Sequence, residues 1–295
     1  MAEPSLPKQT LNVLANSFTP LNNIKQGVKK VTSKIEALPK KGIKRKSKSA
    51  KQSQPPTSDE DNNSKKPRQP PSRASGGIPS PSTRYLTQSL PPPTLLPNPR
   101  RILVILDLNG TLLYRPSRRR PSTFIERPHA RAFLKYCLDT FYLAIWSSAR
   151  PQNVNNMVAQ LLTPEERDKC LIIWARDRFG LSQQDYDTRV QVYKRLSLVW
   201  DDPQVRASHP DAKTGGRWDQ SNTVLVDDSR EKGRSQPHNI LPIPEFSGSQ
   251  REPPNVLPQV HDYLNALCLQ ADISRYMREN PFALNSEYTL PAASC

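Results

Sequence analysis

The sequence predicts an α/β domain: a parallel sheet with helices on both faces. Three observations point there. Residues 102–106 form an unbroken apolar run, the pattern of a strand buried on both faces. Further short apolar runs at 141–146, 171–174, 223–226 and 240–243 alternate with stretches of helical spacing, as in a parallel sheet with crossover helices. Three of these runs end on polar groups, at Asp107, at Ser147-Ser148 and at Asp227-Asp228-Ser229. Open α/β sheets bind their ligands just beyond the carboxyl ends of the strands.

In chain order, residues 1–99 read as a disordered basic tail rich in Pro, Ser and Lys, holding 16 of the 31 prolines. This tail carries 17 Lys+Arg against 5 Asp+Glu, and so most of the +16 charge of the 295-residue chain. Its clusters at 40–48 and 65–68 suit nuclear import or binding to a polyanion, or are simply a solvated tail. Pro91-Pro92-Pro93 suggests a stiff spacer before the fold begins. The folded domain is expected at 100–282, with a flexible C-terminus at 283–295.

The first strand ends at Asp107. Asn109-Gly110 between apolar runs is also a hairpin signal, which would pair the strand antiparallel with the next apolar run. Arg118-Arg119-Arg120 lies in a loop that either attracts a phosphorylated ligand or is merely solvated. Residues 124–128 suggest a short strand. Residues 129–139 and 151–162 have helical spacing. Residues 190–199, carrying Lys194, suggest a helix or an extended lead into one. Residues 201–222 read as a long loop bordering a site. Residues 256–270 and 273–282 suggest the closing helices.

Composition excludes several classes. The four cysteines, Cys137, Cys170, Cys268 and Cys295, form no CxxC pair, so neither a disulfide framework nor a cysteine-based zinc site is expected. No apolar run has the length of a membrane span. Residues 101–295 are nearly neutral, so no direct nucleic-acid binding is expected of the folded part.

Asp107, Ser147, Lys194 and Asp227-Asp228 together are what metal-assisted phosphoryl transfer requires. An aspartate serves as nucleophile, a second carboxylate completes a magnesium site, and a hydroxyl and an ammonium hold phosphate oxygens. The stretches Asp107-Leu108-Asn109-Gly110-Thr111-Leu112, Trp146-Ser147-Ser148-Ala149, Lys194 and Val224-Leu225-Val226-Asp227-Asp228-Ser229, with the ending Arg275-Tyr276-Met277-Arg278-Glu279-Asn280-Pro281-Phe282, carry a resemblance. The chain resembles the haloacid dehalogenase superfamily, and within it the FCP-type (NLI-interacting-factor-like) C-terminal-domain phosphatases.

The resemblance implies a HAD-like Rossmannoid sheet, with a small insertion at 171–186 in place of a large cap. It implies a Mg2+-dependent protein serine/threonine phosphatase acting through an aspartyl-phosphate on a phosphorylated protein or peptide. Asp107 would attack phosphorus. Asp107, Asp228 and the carbonyl of Asn109 would hold Mg2+, with Asp227 supporting them. Thr111, Ser147 and Lys194 would bind the phosphoryl group. The nucleus or nucleocytoplasm is the expected location, the mitochondrion the alternative. One position departs from the family motif: Asn109 stands where it has the aspartate that moves the proton. That opens a second reading, a catalytically impaired scaffold that binds a phosphoprotein or works as a translocase-like subunit. A phosphotransferase or mutase would call for a larger cap.

Overall fold

The structure, a computed structural model, describes residues 68–117, 123–249, 252–253 and 255–290. Seven strands are present among them: β1 (Leu103–Leu106), β2 (Leu113–Tyr114), β3 (Ile125–Glu126), β4 (Tyr142–Trp146), β5 (Ile172–Trp174), β6 (Thr223–Asp227) and β7 (Ile240–Pro242). The helices are α1 (Thr83–Ser89), α2 (Ala130–Thr140), α3 (Pro151–Leu161), α4 (Pro164–Asp168), α5 (Gln183–Asp187), α6 (Leu196–Trp200), α7 (Pro203–Ala207), α8 (Val256–Cys268) and α9 (Ile273–Glu279).

The central sheet has the order β5-β4-β1-β6-β7 and is parallel throughout. Every residue of β1 is fully buried, and successive side chains divide between two cores. Ile102, Val104 and Leu106 join the core under α2, α3 and α8, where Phe133, Met157 and Leu264 lie. Leu103 and Ile105 join the opposite core, with Phe179, Val199, Val205 and Trp218. This is the period-2 alternation of a strand with both faces covered.

Leu106 is in register with Ile145 of β4 and Val226 of β6. Asp107, Ser147 and Asp227 therefore lie at one edge of the sheet. The hairpin alternative for β1 fails, because both its neighbours run parallel to it. The Asn109-Gly110 turn instead feeds β2, which pairs antiparallel with β3.

Three expectations change. The tail does not extend to residue 99. Gln191 N–H donates to the Gln69 carbonyl at 2.7 Å, and Asp185 accepts from the Ser72 N–H and hydroxyl at 2.7 and 2.6 Å. Ser82 caps α1, whose Tyr85 is buried and donates to Asn239 Oδ1 at 2.9 Å. Leu96 N–H donates to the Leu269 carbonyl at 2.7 Å, so residues 91–99 are no free spacer. Residues 69–99 are thus a strap held mainly by polar anchors, in a composition that mimics a linker. The basic cluster at 40–48 and all but Arg68 of the one at 65–68 lie outside the described residues, as does Arg118-Arg119-Arg120.

Residues 201–222 are no open loop. Asp202 accepts from Gln204 and Val205 N–H to start α7, and Val205 and Trp218 are buried. The C-terminal stretch is tied down as far as Tyr288, which donates to Asp262 at 2.7 Å, while Asn285 N–H donates to Gln259 at 2.7 Å.

Cys137, Cys170 and Cys268 are buried free thiols. No helix among the described residues is long and apolar enough to cross a membrane.

Tyr85 is the test of the strap, because its Oη also accepts from His238 N–H at 2.9 Å. Tyr85→Phe leaves that donor and the buried Asn239 carbonyl unpaired, at about 1–3 kcal/mol. For a domain of this size Tm should fall by roughly 3–10 °C, measured by calorimetry. An unchanged Tm would mean that the strap does not dock.

Candidate active site

The site begins where β1 ends. Asp107 N–H donates to the Val226 carbonyl at 3.0 Å, so the backbone is still paired to β6 as the side chain enters the crevice. The carboxylate is buried and meets two ammonium groups. Lys232 donates to Oδ2 at 2.9 Å. Lys194 lies 2.9 Å from Oδ1, an ion-pair contact outside hydrogen-bonding angles, so that oxygen receives no hydrogen bond.

Gly110 comes three residues later, with φ +87°. A Cβ there would stand 2.7 Å from Asp228 Oδ2, so glycine serves both the left-handed backbone and the close approach of that carboxylate. Asn109 turns its side chain back onto its own loop, where Oδ1 accepts from Arg115 N–H at 3.1 Å. Thr111 is fully buried; its carbonyl accepts from Arg127, and its hydroxyl has no partner. Ser147 is buried just past β4, with its N–H on the Trp174 carbonyl. Its hydroxyl accepts weakly from Ala149 N–H at 3.4 Å.

Asp227 closes β6, fully buried. Its Oδ2 accepts from Lys194 at 2.6 Å, and its Oδ1 from Lys232 at 2.8 Å and Ser229 N–H at 3.0 Å. Burial alone would raise this carboxyl, but the two ammonium groups outweigh it and hold it well below the usual range. Asp228 moves the other way. Burial pushes its carboxyl up, Asp107 and Asp227 add to the rise, and Lys232 opposes it.

Lys194 lies on the extended lead into α6, its N–H on the Lys232 carbonyl at 2.7 Å. Three carboxylates and two lysines thus share one largely buried cluster, whose formal charge with every group ionised is minus one.

Sequence reasoning brought Asp107, Ser147, Lys194, Asp227 and Asp228 to this edge and missed Lys232. A signal was available: Lys232 stands four residues after Asp228 on the turn beyond β6, a spacing that lets oppositely charged side chains meet.

The expected insertion at 171–186 needs correction, because Ile172–Trp174 is β5, the outer strand of the main sheet. What remains beyond it is a 3-10 turn at Arg176–Arg178 and the short α5. A groove of about 1190 Å3, lined in part by Arg84, Tyr85, Trp200 and Arg206, includes none of the five charged residues.

Asp107, Asp227 and Asp228 each place one carboxylate oxygen within 4.8 Å of the others, and their chemistry is that of a hard-cation site. Their arrangement does not fit a bound divalent ion, because Lys232 Nζ already stands among them, 2.8–2.9 Å from one oxygen of each.

The fold and this edge define a haloacid-dehalogenase-type domain. The family model described as NLI interacting factor-like phosphatase matches residues 102–274, and the chain belongs to that family. It is 32% identical over 223 residues to an uncharacterised FCP1 homology domain-containing protein of Schizosaccharomyces pombe, covering 72% of this chain and 89% of the relative. A solved structure of Fcp1, an essential RNA polymerase II CTD phosphatase, is 16% identical with a TM-score of 0.30, over 50% of this chain and 42% of that one. The fission yeast Fcp1-R271A structure with beryllium fluoride is 14% identical with a TM-score of 0.30, over 67% and 55%. The matches thus reach about two fifths and just over half of those two chains.

Lys194→Met leaves Asp107 and Asp227 short of a buried partner. It should cost about 3–5 kcal/mol in urea unfolding, and adding Asp227→Asn should restore part of the loss. A cost near zero would contradict the charge balance of the cluster.

Proposed function

We propose that this domain is a phosphoprotein-directed phosphatase-type site in which Asp107 takes the phosphoryl group. The observation that carries this is the Asp107 carboxylate, with one oxygen free of hydrogen bonds and two buried ammonium groups beside it. In the first step Asp107 Oδ1 attacks phosphorus and the ester P–O bond breaks, leaving an aspartyl-phosphate and an alcohol. Lys194 and Lys232 offset the charge on the transferring oxygens. Ser147 and the unused hydroxyl of Thr111 are the neutral donors of this reading. Asp227, doubly paired and buried, positions the lysines.

Both steps need a proton moved. The leaving oxygen must be protonated, and water must be activated to hydrolyse the aspartyl-phosphate. Asn109 can do neither, and the loss of such a group costs about 10²–10⁴ in rate. The proton for the leaving oxygen then comes from solvent. Aryl phosphates, whose leaving oxygen needs less protonation, should react better than phosphoserine or phosphothreonine.

The same amide favours a second reading, a scaffold that captures a phosphoprotein and turns it over slowly. The magnesium expected from the sequence would be held by Asp107, Asp228 and the Asn109 carbonyl, backed by Asp227, and would supply charge neutralisation. Lys232 stands in that place, so no step here runs through a metal. A nuclear location remains part of the proposal, on the strength of the basic tail.

Hydrolysis of an aryl phosphate by the full chain tests the reading. The native protein should turn over slowly, Asn109→Asp faster by about 10²–10⁴, and Asp107→Asn not at all. Native turnover equal to that of Asn109→Asp, or surviving in Asp107→Asn, would overturn it.

A further inference from the structure

Lys232 is a buried charge at the centre of the site that the sequence reading did not call for. Its ammonium has three donors. Each goes to a different carboxylate: Asp107 Oδ2 at 2.9 Å, Asp227 Oδ1 at 2.8 Å and Asp228 Oδ1 at 2.8 Å. The side chain is almost wholly buried, and no other polar group is needed to satisfy it.

These are the distances of an ammonium site. Magnesium binds oxygen at about 2.0–2.1 Å and calcium at about 2.3–2.6 Å, so the three carboxylates as they stand are arranged around an ammonium and not around either ion. A dication added beside Lys194 and Lys232 would also turn a cluster of formal charge minus one into one of plus one, at a site that is largely buried.

The backbone under Lys232 is pinned on both sides. Lys232 N–H donates to the Ser229 carbonyl at 3.1 Å, and its own carbonyl accepts from Lys194 N–H at 2.7 Å. Next to it, Gly233 is packed so closely that a Cβ would meet Ile240 at 2.7 Å. The turn therefore cannot swing away to free the position without breaking these contacts.

We propose that Lys232 is a tethered substitute for a divalent cation: its ammonium, held by Asp107, Asp227 and Asp228, fills the cation position and closes it to metal. The charge that a metal would bring to a bound phosphoryl group comes from the chain itself. Binding of phosphate-bearing ligands is then independent of divalent ions and survives chelators. The inference rests on the carboxylate geometry, not on turnover at Asp107, so a metal-binding measurement can fail while the phosphatase reading stands.

The test uses Mn2+ as the probe, with free ion followed by electron paramagnetic resonance, on the full chain. The native protein should hold no Mn2+ at this cluster up to millimolar concentration, and Mg2+ should leave its Tm unchanged. Lys232→Met should gain one site, tighter than any native site by an order of magnitude or more, with a Tm that rises on adding Mg2+. Adding Asp228→Asn to that variant should abolish the gain, which places the ion at the cluster. One Mn2+ bound equally by native protein and Lys232→Met would overturn the proposal. Should Lys232→Met not fold, the native chain decides alone: a bound Mn2+ that Asp228→Asn removes overturns the proposal, and no bound Mn2+ at millimolar concentration supports it.

Discussion

Three carboxylates at the carboxyl edge of adjacent parallel strands cannot be buried without cations, and much of this molecule is shaped by that need. An uncompensated buried charge costs several kcal/mol, so each aspartate requires an ammonium within contact distance. Lys194 comes from the segment ahead of α6 and Lys232 from the turn after β6, and each bridges Asp107 to Asp227. The connection between these two lysines includes α7 and Trp218, which cover one face of the sheet. The elements that complete the electrostatics therefore also complete the core.

Under the proposed function, the site has the charges that phosphoryl transfer uses and no proton carrier at position 109. On the proposed reading Asp107 is the nucleophile, and Lys194 and the two aspartates at the end of β6 supply the field around it. Asn109 holds its own loop by accepting from Arg115 N–H and has no proton to exchange. Attack on phosphorus draws on the part that is present, whereas release of the leaving group and hydrolysis of the acyl phosphate draw on the part that is missing. Capture of a phosphate-bearing ligand with slow release is the behaviour this combination favours.

Much of this was legible in the sequence because it is written in short-range patterns. The run 102–106 announces a buried strand, and the polar residue that ends it marks the sheet edge. Asp107, Ser147 and Asp227 could be placed together from topology alone. The strap at 69–99 was illegible because serines, prolines and backbone carbonyls hold it through partners more than a hundred residues away, such as Ser72 on Asp185. Its largest buried side chain is Tyr85, whose partner, Asn239, is as remote. Lys232 was overlooked because a lysine in a turn usually faces water. Only the convergence of three carboxylates makes its burial favourable, and that convergence is a property of the folded sheet.

The central claim is that Asp107 accepts phosphate and releases it slowly, and mass spectrometry of acid-quenched protein after brief incubation with an aryl phosphate tests it most directly. The account predicts a gain of one phosphoryl group on the peptide containing Asp107, lost on treatment with hydroxylamine, as an acyl phosphate must be. No adduct on that peptide, in the native protein and in Asn109→Asp alike, would contradict the assignment of Asp107 as the nucleophile.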